Sequence, residues 1–251
     1  MTYSQPKIAL VTGVGNHKGI GAAVCRKLAS QGISIFFTYW KSETGFANRF
    51  KREISERGVL CEGLEVDLST NNAYKTLIKE VCEQLGCPTI LINNAAHSID
   101  SNYTDLDGKT LDDHYNVNVK TTFMLCVEFA RLIEKNEMKK GRIVNLTSGQ
   151  GKGPMPGNLA YAATKGAISS FTESLSSEVA ELGITVNAVN PGPTDSNWMT
   201  DEIREYLLPK FKMGRIGKPE DAANLIGFLC SDDAQWVTGQ VIHSEGGFLR
   251  S

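Results

Sequence analysis

The apolar run Lys7 to Thr12 (KIALVT) opens directly into four glycines, Gly13, Gly15, Gly19 and Gly21, and these run into an apolar-periodic helix from Ile20 to Ser30. Few folds accept that order. A short apolar strand suits a parallel sheet covered on both faces, and glycines at its end let the chain turn tightly into the covering helix. The same turn brings free N–H groups and the positive end of a helix dipole to one point, which suits a pyrophosphate. Glycine turns also close ordinary βα units, but strand, turn and helix in sequence are the context that dinucleotide binding needs.

The pattern repeats along the chain. Apolar segments near 7–12, 33–39, 59–66, 89–93, 142–147, 184–190 and 238–243 alternate with helical stretches. This predicts an α/β fold of Rossmann type, a doubly wound, mainly seven-stranded parallel sheet with helices on both faces and right-handed crossovers. No linker or repeat interrupts it, so a single domain over residues 1–251 is expected. Ligands of such sheets bind beyond the carboxyl ends of the strands, where Gly13, Asn93, Ser148 and Pro191 all fall.

Charge and composition narrow the partners. A net charge of −2 offers no basic field for nucleic acid. No long apolar run suits a membrane span, and Met1 to Gln5 is too short and polar for a secretory signal, so a cytoplasmic protein is expected. The six cysteines are scattered, without metal-ligand spacing, and read as reduced; no metal is expected. The sequon at Asn145 lies in an apolar strand, and neither it nor Asn102 is expected to carry glycan.

Tyr161 and Lys165 are one helical turn apart and face the same way on a helix. A cation beside a phenol lowers its pKa toward working pH, as proton transfer requires. Such a pair is common on surface helices. Here it follows a strand ending in hydroxyl residues, GRIVNLTS from Gly141 to Ser148, and a Gly/Pro-rich loop from Gly149 to Gly157, which can bring Ser148 to Tyr161.

These segments together resemble the short-chain dehydrogenase/reductase family over nearly the whole chain. Thr12-Gly13 with Gly19-Ile20-Gly21 is similar to its TGxxxGxG turn, and Asn93-Asn94-Ala95 to its NNAG segment. Asn118, Ser148, Tyr161 and Lys165 match its catalytic tetrad, Pro191-Gly192 its PG motif, and Thr194 a frequent nicotinamide or phosphate contact. Three departures stand out. Five residues, Val14 to Lys18, separate Gly13 from Gly19 where the family usually has three, so the turn should bulge outward. Ala96 replaces the usual glycine, where its methyl group would crowd the cofactor or shift the loop. His17 and His97 flank these places and read as solvated loop residues.

The resemblance implies NADP(H) or NAD(H) held by Gly13, Lys18, Gly19, Ile20, Gly21, Tyr39, Lys41, Asp67, Leu68, Asn94, Ala95, Tyr161, Lys165, Pro191, Gly192 and Thr194. No acid stands at the tip of the second strand (Thr38 to Ser42), while Lys18 and Lys41 offer charge to a 2′-phosphate; NADP(H) is therefore preferred, with Glu43 as the reservation. Asp67 resembles the adenine contact and also reads as an ordinary helix cap.

The implied reaction is reduction of a small-molecule carbonyl to an alcohol, or the reverse. Tyr161 would donate the proton, Ser148 orient the substrate oxygen, Lys165 hold the nicotinamide ribose and Asn118 anchor a linking water. Residues 195–215, with Trp198, Met199, Leu207, Leu208, Phe211 and Met213, resemble the substrate loop, either lining a lid or packing on the sheet; Gln150, Met155 and Asn158 face the same region. The overall pattern is similar to β-ketoacyl-acyl-carrier-protein reductases. Lys139, Lys140 and Arg142 would meet an acidic carrier protein, though Leu182, Glu178 and Glu181 disfavour that alternative. A further alternative is a non-catalytic NADP-binding regulator. The resemblance also implies a homotetramer, pairing helices around Asp112–Lys135 and Tyr161–Leu182 and burying Phe123, Val127, Phe171 and Leu175 between subunits.

Overall fold

In a computed structural model, which describes residues 7–250, seven strands form one sheet in the order β3-β2-β1-β4-β5-β6-β7. Every neighbouring pair is parallel. The strands are β1 (Ile8–Val11), β2 (Ser34–Tyr39), β3 (Cys61–Glu65), β4 (Ile90–Asn93), β5 (Gly141–Leu146), β6 (Ile184–Asn190) and β7 (Val241–His243). The stretch Met1 to Gln5 lies outside the described residues. Among the described residues, no helix is long and apolar enough to cross a membrane, and no cluster of side chains could hold a metal ion.

Alternation along each strand divides the core into two layers. Ala9, Val11, Ile35, Phe37, Ile90, Ile92, Val144 and Leu146 face α1 (Ile20–Ser30), α2 (Phe46–Ser55) and α8 (Pro219–Leu229). Ile8, Leu10, Phe36, Leu91, Ile143 and Val186 face α3 (Ala73–Gln84), α5 (Thr122–Lys135) and α6 (Leu159–Glu178). Strands wetted on neither face are mostly apolar on both, which is why the central ones read as near-continuous runs rather than as alternating ones.

The predicted strands are all present, with shifted ends. The seventh starts at Val241 rather than near 238, because Gly239 takes a φ of 70° and turns the chain. Residues 238–240 still meet β6: Thr238 Oγ1 accepts from Val186 N, and Gly239 N donates to Val186 O. The expected helix over Asp112–Lys135 is three pieces: α4 (Gly108–His114), a π-helical segment Tyr115–Thr121, and α5. Widened turns of this kind often accompany functional sites, and this one carries Asn118. The substrate loop contains α7 (Asp201–Leu207) and a 3₁₀ turn, Leu208–Lys210. Its apolar residues divide: Met199 and Phe211 are buried, whereas Trp198, Leu208 and Met213 are exposed. Leu175 packs in the chain's own core beside Phe129 and Val179, so it is not an intersubunit residue.

Polar residues tie the carboxyl ends of the central strands together. Asn93 and Asn145 are register partners on β4 and β5, and Asn93 Nδ2 donates to Asn145 Oδ1 at 2.9 Å. Asn145 Nδ2 donates in turn to Thr172 Oγ1 of α6 at 3.0 Å. All three are buried, so removing the middle member strands two polar groups away from water. Asn145→Ala is expected to lower unfolding stability by about 1–3 kcal/mol. Urea denaturation should show a lower midpoint with an unchanged slope; an unchanged midpoint would contradict the network's role.

Candidate active site

The sheet order reverses direction at β1, whose neighbours are β2 and β4, and the crevice beyond their carboxyl ends is a cavity of about 800 Å³. Its walls include Gly13, Gly19, Ile20, Gly21, Tyr39, Lys41, Asp67, Leu68, Asn94 and Ala95, all cofactor candidates from the sequence. The glycines have physical reasons to be there. A Cβ on Gly13 would stand 2.5 Å from Ala95 Cα, and one on Gly21 would stand 2.7 Å from Asn94 Nδ2. Gly19 begins α1 in extended conformation with no side-chain cap, so the first-turn N–H groups keep no side-chain partner. A cradle without side chains, facing uncapped helix N–H groups, fits the pyrophosphate of a dinucleotide.

Asn94 holds the cradle in shape: its Nδ2 donates to the carbonyls of Thr12 and Gly13, each at 2.9 Å. Thr12 Oγ1 accepts from the N–H groups of Asn94 and Ala95, each at 3.1 Å. On the other side, Gly13 N donates to Thr38 Oγ1 and Val14 N to Thr38 O. Asp67 lines the cavity and accepts from Ser69 N in a local turn; α3 begins at Ala73 with Asn72 at its cap position, so Asp67 is not a helix cap.

The lengthened turn is clamped onto its neighbours. Asn16 Oδ1 accepts from Lys18 N, Arg26 Nη1 donates to His17 O at 2.7 Å, and Arg26 pairs with Glu53 of α2. His17 packs edge-on against Phe46 and Phe50, with ring centroids at 4.9 and 5.8 Å, and lies 3.4 Å from Glu53. It is therefore half-buried rather than a solvated loop residue. The turn projects Lys18 toward the substrate loop, where Nζ lies 3.4 Å from Asn197 Oδ1. Together with Lys41, Ser42 and Glu43 they border a second opening of about 350 Å³.

His97 also departs from its reading. It stands in the cavity wall with its ring edge-on to His114 at 4.7 Å, and its Nε2 is sealed from solvent without a partner. Burial, followed by His114, lowers its pKa. His114 is fully buried: Nε2 accepts from Ile99 N, leaving Nδ1 to donate to Thr110 O.

None of the tetrad candidates is among the residues lining this cavity; Asn118 reaches it through His97, which stands in its wall. Ser148 follows the end of β5, while Tyr161 and Lys165 lie in the first turns of α6. Lys165 is buried and its Nζ donates to Leu146 O at 2.7 Å, 5.4 Å from the centre of the Tyr161 ring. Thr147 Oγ1 donates to Lys165 O at 3.0 Å, and Gln150 Nε2 donates to Thr147 Oγ1. Asn118 is buried and joins two segments: Oδ1 accepts from His97 N, and Nδ2 donates to His97 O and to Thr164 Oγ1. Thr164 Oγ1 donates to Tyr161 O. Thr12, already part of the glycine motif, has a structural role at this site, as do Thr38, Thr147 and Thr164, to which the sequence pattern assigned no role.

Pro191, Gly192 and Thr194 follow β6, outside the residues lining the large cavity. Gly192 has a φ of 65° and fits against Glu245. Thr194 is buried, with its hydroxyl on the carbonyls of Pro191 and Gly192. Its Oγ1 is thus engaged within its own turn, and Ser196 is the substrate-loop residue that reaches the large cavity.

The electrostatics differ from the expectation of a depressed phenol. Burial raises the Tyr161 pKa, with the Ser148 hydroxyl acting in the opposite direction, whereas burial lowers Lys165 to about 8. A cation that itself tends to lose its proton, and that points at a carbonyl, does little to stabilise a phenolate.

A family model described as enoyl-(acyl carrier protein) reductase matches residues 13–249. The chain belongs to the short-chain dehydrogenase/reductase family. It is 62% identical over 250 residues to the uncharacterized oxidoreductase YjdA of Bacillus subtilis (strain 168), covering 100% of both chains. It is 35% identical over 244 residues to 3-oxoacyl-[acyl-carrier-protein] reductase FabG of Staphylococcus aureus, covering 96% of this chain and 97% of that one. Acetoin dehydrogenase YohF from Salmonella typhimurium superposes with a TM-score of 0.87 at 32% identity, over 97% of this chain and 96% of that one. A blue fluorescent protein from a metagenomic library, in complex with NADPH, gives 0.87 at 28% identity, over 96% and 97%. Family membership makes the chain an oxidoreductase with a nicotinamide-cofactor site.

The buried lysine carries a measurable signature. Its folded pKa of about 8 is below the ordinary value of 10.5, so between these limits the unfolded chain binds more protons. Lys165 therefore destabilises the fold at low pH, and that penalty is relieved as pH rises through the window. Urea denaturation on both sides of the window should show this gain in the native protein and lose it in Lys165→Met. An equal pH dependence in both would refute the assignment.

Proposed function

We propose that this protein is an NADP(H)-dependent reductase of small-molecule carbonyls, acting reversibly on the corresponding alcohols, with Tyr161 as general acid and base. The observation that carries this reading is the meeting of Ser148, Tyr161 and the buried Lys165 where β5 ends, with Asn118 tied to His97 in the wall of the glycine-lined cavity. The bound nicotinamide supplies hydride to the carbonyl carbon. Ser148 holds the substrate oxygen, and Tyr161, kept protonated by its burial, donates its proton to that oxygen as negative charge develops. Lys165 would hold the ribose hydroxyls of the cofactor. Asn118 is fixed between His97 and Thr164 and would anchor a water linking Lys165 to solvent.

The charges around the second opening support NADP(H). Lys18 and Lys41 both border it, and Glu43 is drawn into an ion pair with Arg49. Glu65 is the counterweight, since it reaches the tip of β2 and accepts from Lys41 N. The NADPH complex of a structural neighbour favours the same choice.

A small substrate fits better than a carrier-bound one. Lys140 and Arg142 are near the amino end of β5, opposite the active-site edge, and both approach Asp232. The carrier-docking surface suggested by the sequence is therefore remote from Ser148. The acetoin dehydrogenases among the structural neighbours make small hydroxyketones and diketones the first compounds to try. The domain reading remains one unit over 1–251. The tetramer reading rests on α5 and α6, where the half-buried rings of Phe123 and Phe171 stack with centroids 3.8 Å apart.

Oxidation of NADPH against small ketones, diketones, acetoacetyl thioester and an enoyl thioester tests the activity. With the substrate so identified, Tyr161→Phe should lower kcat by about 10²–10⁴-fold while the Kd for NADPH changes by less than about threefold. Near-normal turnover would exclude Tyr161 as the proton donor. Replacing both Lys18 and Lys41 by Ala should weaken NADPH binding about tenfold or more and leave NADH binding little changed. Equal losses for the two cofactors would refute the phosphate assignment.

A further inference from the structure

The joint between α3 and β4, on the far edge of the sheet from the cavity, brings two cysteines together. Cys82 lies in the last turn and a half of α3, and Cys87 follows the helix end. The N–H groups of Leu85 and Gly86 both donate to Val81 O, at 3.0 and 3.1 Å, and Gly86 has a φ of 108°, so the chain doubles back on the helix. Pro88 follows, and Thr89 N donates to Ile8 O at 2.9 Å, which leads the chain into β4. Regular structure thus holds both flanks, and the Sγ atoms are 3.8 Å apart.

These are also the two cysteines that retain solvent exposure. Cys25, Cys61, Cys126 and Cys230 are buried. A disulfide bond is about 2.05 Å long, so the sulfurs must close by less than about 2 Å, a distance on the scale of side-chain rotation.

We propose that Cys82 and Cys87 form a dithiol site that takes small-molecule disulfides as its oxidant and closes to an intrachain disulfide. The Cys87 thiolate attacks one sulfur of the reagent RSSR, forming a mixed disulfide and releasing RS⁻. Cys82 then gives its proton to solvent and attacks Cys87 Sγ, expelling a second RS⁻; both leaving thiolates take up protons. Two protein thiols are oxidised and RSSR is reduced to two RSH. Burial, then Cys87, raises the Cys82 thiol to about 12, so Cys82 is largely protonated near neutrality and acts second, as an intramolecular nucleophile.

The test treats the intact folded protein with glutathione disulfide, then with the smaller 2-hydroxyethyl disulfide, and follows the mass of the whole chain. The expected product has lost about 2 Da, carries no adduct, yields a peptide cross-linked between Cys82 and Cys87, and returns to the starting mass with dithiothreitol. Cys82→Ser and Cys87→Ser should each lose this product, and Cys82→Ser should keep the reagent as a stable mixed disulfide on Cys87. An unreacted native chain with both reagents, a native chain that retains adducts without bridging, or a bridge between other cysteines would each overturn the proposal.

Discussion

The junction between the carboxyl ends of β1 and β4 is the constraint on which the site depends. The sheet winds outward in both directions from β1, so nothing covers the crevice there, and the gap must be held to a width that admits a cofactor. Asn94 and Thr12 set that width through four hydrogen bonds across the gap. Gly13 then meets Ala95 with no room for a side chain. Backbone geometry at this point, more than any charged group, makes the cradle, because a pyrophosphate is recognised chiefly by N–H groups and a helix dipole.

Tyr161 and Lys165 lie one strand further along, and their charge states are governed by burial. Lys165 lies where solvation is poor, its Nζ on the Leu146 carbonyl, and Tyr161 shares that environment. Desolvation penalises charge on either side chain, so it pushes the phenol upward and the ammonium downward. The surrounding polar residues maintain position: Thr147 and Gln150 bind the end of β5 to α6, and Asn118 binds the β4 loop to the same helix.

Much of this was legible in the chain. The central strands appear as apolar runs because both of their faces are covered, and the glycine turn announces the cradle because only a few backbones need glycine so densely. Other features were hidden for physical reasons. The π-helical turn at Asn118 leaves no periodic trace over seven residues. His17 reads as a loop residue until Phe46, Phe50 and Glu53 of α2 come up against it. Leu175 looks as fit for an interface as for a core, since helical periodicity identifies an apolar face and not what covers it. Glu65 reaches the tip of β2 only through strand pairing.

The sequence by itself determined the alternation of strands and helices, the glycine-rich turn after β1 and the identities of the groups able to carry a proton, because these follow from local pattern and side-chain chemistry. Tertiary structure decided the protonation bias of Tyr161 and Lys165, the balance of charge around Lys18 and Lys41, and the remoteness of Lys140 and Arg142 from the site. Those properties depend on desolvation and on neighbours from distant segments, and neither exists until the sheet has closed around its helices.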